Sequence, residues 1–142
     1  MAPDLFSEKY DMANDRLRNV TGTIADGQSE SAEIDLGRAA KIVTIHAPAG
    51  LHANSAKLVF TCASTSGGTF TALWKTGGSA RHEEPLNGAT GITIAMQDAI
   101  KGIRFIKIQT LTAADAAQAQ AGGDDFELMV VPDAERIVGG SY

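Results

Sequence analysis

Residues 103–108 read IRFIKI, and this short stretch decides the fold class. Its apolar side chains fall on both alternating faces, whereas a strand with one wet face would alternate apolar with polar residues. A strand that is apolar on both faces is typical of the middle of a packed sheet. We therefore predict that Ile103–Ile108 is a central strand.

On both sides of this stretch, the chain consists of short β-prone runs separated by turn residues. In Ser31–Leu36 (SAEIDL) apolar and polar residues alternate strictly, which indicates a half-buried strand. Similar patterns predict further strands over residues 21–24, 41–47, 57–64, 69–74, 92–96 and 126–131. The runs 57–64 and 69–74 flank Ser64–Gly68 and read as a hairpin. No helical pattern of 10 to 15 residues lies between these runs.

These patterns predict an all-β fold, an antiparallel β-sandwich of jelly-roll-like type with seven or eight strands. Its core should include the aromatic side chains of Phe60, Phe105 and Phe126. Residues 21–131 form this domain in our prediction, and residues 132–142 form a C-terminal tail. The Ala- and Gln-rich segment 112–123 is either a helical turn or a long surface loop.

Residues 1–20 precede the sandwich and are predicted to be an N-terminal arm or a short helix. Phe6, Tyr10, Ala13 and Leu17 are spaced so that a helix would carry them as one apolar stripe. Such a stripe either packs on its own domain or docks on a partner, and the sequence leaves both readings open.

Composition limits the classes of partner. The 142 residues include 12 basic and 17 acidic ones, giving a net charge of −5, and no Lys/Arg cluster that would follow a phosphate backbone stands out. We therefore expect no nucleic acid partner. No run is apolar for long enough to span a membrane, and residues 1–19 do not resemble an export signal. Cys62 is the only cysteine, so no internal disulfide can form, and a buried, inert thiol is expected.

A search for catalytic or cofactor motifs finds none that is complete. Gly22–Ser29 has the glycine spacing of a phosphate-binding loop, but Gln28 stands where the loop needs a lysine. The three histidines, His46, His52 and His82, form no metal-binding cluster in sequence. We therefore expect no enzyme, no cofactor and no catalytic or metal-ligating residue.

Two adjacent carboxylate pairs, Glu83-Glu84 and Asp124-Asp125, lie beside predicted turns. Neighbours on a strand point to opposite faces, which does not suit a pair of carboxyls facing one another across a cleft. We interpret both pairs as solvated loop charge, with a loop calcium ion at Asp124 and Asp125 as the alternative.

Trp74, the only tryptophan, ends a predicted strand. It has two readings: a side chain packed at the rim of the core, or an exposed platform on which a sugar ring stacks. The second reading requires acidic or amide side chains beside the indole.

Part of the chain resembles small β-sandwich virion proteins of tailed bacteriophages, of the capsid decoration or cement type. The segments that carry the resemblance are 31–37, 42–48, 58–60, 63–64, 67–70 and 102–108. The resemblance extends from Gln28 to Thr110. It implies a non-enzymatic protein that binds the major capsid protein lattice, stabilises the head, and can self-associate as a trimer. Such a protein assembles in the host cytoplasm and resides on the capsid surface.

Similar sandwiches also serve as carbohydrate-binding or adhesion modules, and this is the alternative function. The predicted partner-binding residues are Phe6, Tyr10, Leu17 and Trp74.

Overall fold

The computed structural model describes residues 17–75, 78 and 80–132. These ranges contain seven β-strands, all paired antiparallel, and no α-helix. The strands are β1 (Arg18–Ile24), β2 (Ile34–Ala47), β3 (Lys57–Ala63), β4 (Thr71–Ala72), β5 (Glu83–Pro85), β6 (Ile92–Leu111) and β7 (Asp124–Pro132). The predicted all-β antiparallel fold is confirmed. In this part of the chain no helix is long and apolar enough to cross a bilayer.

The strands form one continuous sheet in the order β1-β7-β2-β6-β3-β4, with β5 also paired to β3. The stretch 103–108 lies in β6, which pairs with β2 on one side and with β3 on the other. Its predicted central position is confirmed. The predicted hairpin is present as β3 and β4, although β4 is only two residues long.

The sheet closes on itself to give the two layers of a sandwich. In the hydrogen-bonding order β1 is separated from β2 by β7, yet Gly22 of β1 packs directly over Ile34 of β2 and Ile108 of β6. A Cβ atom placed on Gly22 would lie 2.4 Å from Cδ1 of Ile34 and 3.5 Å from Cδ1 of Ile108. The long strands β2 and β6 pair with one another from Ile34 to Ala47 of β2, and the register between them shifts at several points.

Burial follows the alternation that the sequence predicts. Phe126, Leu128 and Val130 of β7 are fully buried, and the residues between them are more exposed. Phe60, Phe105 and Phe126 are all buried, as predicted. The core cluster consists mainly of isoleucine and leucine side chains from β2, β3, β6 and β7.

Simple alternation over residues 41–47 predicts that Ile45 lies on one face with Val43 and that Ile42 lies on the other, and this prediction is wrong. Both side chains are fully buried. The register of β2 against β6 and β7 shifts between Ile42 and Thr44. Such a bulge adds one residue to the strand and interrupts the alternation of its side chains. Ile42 before the bulge and Ile45 after it therefore face the same side.

Several predicted boundaries also differ. β1 begins at Arg18, three residues before the predicted start, and the Arg18 guanidinium donates a hydrogen bond to the Leu36 carbonyl. The predicted strands 31–36 and 41–47 merge into β2, and those at 92–96 and 103–108 merge into β6. Residues 112–123 form a loop. Phe6, Tyr10 and the predicted tail after Pro132 lie outside the described residues, so the predictions for them stay predictions.

Candidate ligand-binding site

A short hairpin after β4 presents Trp74 to solvent. The Leu73 backbone NH donates to the Phe60 carbonyl at 3.0 Å, and the His82 NH donates to the Leu73 carbonyl at 2.8 Å. Trp74 itself forms a bridge with Arg81. The backbone is therefore held on both sides of Trp74, and the residue is 53% exposed.

Trp74 borders a half-open depression with a volume of about 710 Å³. The hairpin supplies one side of it, and the neighbouring strands β2 and β6 supply the rest. The lining residues are Lys41, Val43, Leu73, Trp74, Lys75, His82, Gln97, Asp98, Ala99, Ile100 and Lys101. The depression thus combines an exposed aromatic ring with an amide, a carboxylate and three ammonium groups.

His82 lines the depression although it is only 4% exposed. Its Nε2 lies 2.6 Å from Oε2 of Glu84, and its ring meets Phe60 edge-on with centroids 5.5 Å apart. The described lining residues include no hydroxyl or thiol beside this His–Glu pair that could act as a nucleophile. The arrangement supports the base of the hairpin that carries Trp74.

The prediction that Glu83 and Glu84 are solvated loop charge is wrong. Both lie in β5, and they point in opposite directions as neighbours on a strand do. Glu83 contacts Arg81 at 2.9 Å, whereas Glu84 is largely buried against His82. Asp124 and Asp125 likewise belong to β7 and not to a loop. Within the described ranges no group of three or more His, Cys, Asp or Glu side chains could hold a metal ion.

Of the four predicted partner-binding residues, the structure describes Trp74 and Leu17, and the two do not share a site. Trp74 borders the depression, but Leu17, with a similar exposure of 54%, does not line it. Phe6 and Tyr10 lie outside the described residues. Cys62 is half-buried, and desolvation raises the pKa of its thiol to about 11, so it stays protonated at neutral pH.

Sequence reasoning missed most of the depression. Lys41, Lys75 and Lys101 come from β2, the hairpin and β6, and no spacing in the chain links them. Gln97 and Asp98 lie between the predicted strands 92–96 and 103–108 and give no signal of their own. The requirement for acidic or amide side chains beside an exposed Trp74 was the one available clue, and the structure meets it.

No family model and no curated protein matches the chain. Among solved structures, the family 32 CBM from C. perfringens NanJ, in complex with galactose, is 12% identical over 80% of this chain and 93% of that chain, with a TM-score of 0.40. CBM32-1 from a family 31 glycoside hydrolase from Clostridium perfringens is 15% identical over 78% of this chain and 75% of that chain, with a TM-score of 0.37. Values this low identify neither a family nor a ligand. The resemblance to phage virion proteins stays a prediction.

Proposed function

We propose that this chain is a non-catalytic carbohydrate-binding β-sandwich domain and that a sugar ring stacks on Trp74. The observation that carries the proposal is the exposed indole at the edge of a depression that also holds Gln97 and Asp98. One face of a sugar ring is made of C–H groups and suits an aromatic surface, while its hydroxyls need polar partners. The depression offers both.

Trp74 is well placed to act as an anchor residue. Its backbone is held by the hairpin, so little backbone entropy remains to be lost when a ligand binds. An aromatic side chain that is half exposed in the free protein also leaves apolar surface to be covered by a ligand. A tryptophan in such a position is the type of residue that dominates binding energy.

The first prediction concerns Trp74 and can be read from its own fluorescence. Because it is the only tryptophan, emission from the protein reports on this site alone, and a bound sugar should shift the emission toward the blue. Glycan array screening identifies a ligand, and calorimetry then measures its affinity. We expect Trp74→Ala to weaken binding by about tenfold or more, roughly 1.4 kcal/mol, and Trp74→Phe to weaken it less.

Leu17→Ala is the matched control, since Leu17 is as exposed as Trp74 but lies away from the depression. It should leave glycan affinity unchanged. If Trp74→Ala binds the glycan as tightly as the unmodified protein, the proposed site is wrong. If no glycan binds but the full chain co-sediments with undecorated phage capsids, the virion role inferred from resemblance replaces this proposal.

A further inference from the structure

The basic residues of this acidic protein fall into two groups. Nine lysines and arginines lie in the described ranges, and six of them have an interaction partner: Arg18, Arg38, Lys57, Arg81, Arg104 and Lys107. The other three are Lys41, Lys75 and Lys101. None of these makes a side-chain hydrogen bond, ion pair or ring contact with the described part of the chain, and all three line the depression beside Trp74.

The local charge is therefore opposite to that of the whole molecule. Three lysines against Asp98 leave the depression with a charge of +2, whereas the chain carries −5. The pairing of β2 with β6 brings Lys41 and Lys101 close together. Ile42 pairs with Ile100, and each lysine is next in sequence to one of these two residues. Lys75 comes from the hairpin and follows Trp74 directly. The fold thus gathers unpaired cations around the exposed indole.

We propose that the ligand of this site is an acidic glycan, whose sugar rings carry carboxylate or sulfate groups; this inference rests on the function proposed above. A neutral sugar would leave three ammonium groups without partners beside the ligand. An anionic sugar places its charged group among them, and charge-assisted hydrogen bonds are stronger than neutral ones. Trp74 still supplies the surface for the ring, while Gln97 and Asp98 accept hydrogen bonds from ring hydroxyls.

The test compares ligands that differ only in charge. Trigalacturonate is paired with its full methyl ester, and a sulfated dextran oligosaccharide is paired with the unsulfated one. Calorimetry at low salt measures the affinity of the full chain for each. We expect at least one acidic member to bind about tenfold more tightly than its neutral partner, and the pair that shows this preference tells carboxylate from sulfate.

Variants then assign the preference to the three lysines. Lys41→Gln, Lys75→Gln and Lys101→Gln should each lower affinity for the acidic ligand about twofold to fivefold and leave affinity for the neutral partner nearly unchanged. Lys107→Gln is the control, because Lys107 lies outside the depression with its ammonium over the Phe70 ring at 4.5 Å. It should bind like the unmodified protein.

The possible failures are distinguishable. Equal affinity for acidic and neutral partners overturns the acidic-glycan inference and leaves the carbohydrate-binding function standing. The inference is also wrong if the acidic ligand still binds as tightly after all three glutamine substitutions, or if Trp74→Ala does not weaken its binding. Equally tight binding of a single-stranded oligonucleotide would overturn it as well. If no glycan of any charge binds, the proposed function fails together with this inference.

Discussion

Asp124 is the residue at which burial and charge conflict most clearly. Its side chain lies in β7 with a residue exposure of only 8%, and its Oδ2 has no hydrogen-bond partner among the described residues. Desolvation, and secondarily the charge of Asp125, raises the pKa of this carboxyl. Asp35 shows the opposite case, because hydrogen bonds from Arg104 and from the Gly37 backbone lower the pKa of its carboxyl.

We predict that Asp124→Asn stabilises the protein at neutral pH by up to about 1 kcal/mol, because a neutral amide costs less to bury than a carboxylate even though it also lacks a hydrogen-bond partner there among the described residues. A raised folded-state pKa means that the ionised form is disfavoured in the folded protein. The penalty is therefore full above that pKa, and it disappears as the pH falls below the ordinary value of 3.8. Urea unfolding at neutral pH and at low pH measures the difference.

The exposed Asp26→Asn is the control for this substitution, since it removes a carboxylate from a solvated loop. It should bring no gain at neutral pH. A stabilisation by Asp124→Asn that persists unchanged at low pH would show that charge burial is not its cause.

At the scale of elements, one buried side chain joins two loops. Gln120 lies in the loop between β6 and β7 and is only 2% exposed. Its Oε1 accepts a hydrogen bond from the His52 backbone NH at 2.8 Å, and its Nε2 donates to Ser55 Oγ at 2.9 Å and to Thr110 Oγ1 at 2.8 Å. The loop 112–123 is thus tied to the segment before β3 and to the end of β6.

Gln120→Ala should destabilise the fold by about 2 to 4 kcal/mol, because it opens a cavity and leaves the His52 NH without its partner. Thermal or urea unfolding measures the loss. Gln118→Ala is the matched control, since the Gln118 side chain donates at 3.0 Å only to the carbonyl of its neighbour Ala119. It should cost less than about 0.5 kcal/mol. Equal losses for the two variants would show that the buried hydrogen bonds of Gln120 do not hold the loops.

At the scale of the whole molecule, Gly22 marks a close contact between β1 and the start of β2, two strands that are not neighbours in the sheet order. This glycine lies in β1 at one end of the strand order, and it meets Ile34 from the other layer of the sandwich. The nearest atom to an added Cβ is Cδ1 of Ile34, at 2.4 Å. A methyl group at position 22 would therefore have to displace the Cδ1 end of the Ile34 side chain, while its other contacts would stay near ordinary van der Waals distances.

We predict that Gly22→Ala destabilises the protein by about 1 kcal/mol, the low end of the cost of overpacking, because the Ile34 side chain must move to another rotamer. Ile34→Val removes the clashing Cδ1 atom, so Gly22→Ala should cost clearly less in that background than in the unmodified protein. A double-mutant cycle from urea unfolding measures this coupling. Additive losses would mean that β1 does not pack on Ile34 as described.

The sequence by itself determined the kind of elements and the position of the central strand. A short run of β-prone residues is a local signal, so β7 and the central part of β6, which is apolar on both faces, could be predicted from their own sequences. The burial of Phe60, Phe105 and Phe126 followed from the predicted strand faces. The short strand β5 was missed, because two glutamates and a proline do not look like a strand.

Only the tertiary structure decided where these elements bend and which side chains meet. The bulge near Ile42 reversed a predicted face, and Gln120 became buried because distant loops supplied its partners. Lys41, Lys75 and Lys101 converge beside Trp74 because a folded sheet brings together strands that lie far apart in the chain. No local pattern encodes that convergence, since it depends on long-range pairing and on the closure of the two layers.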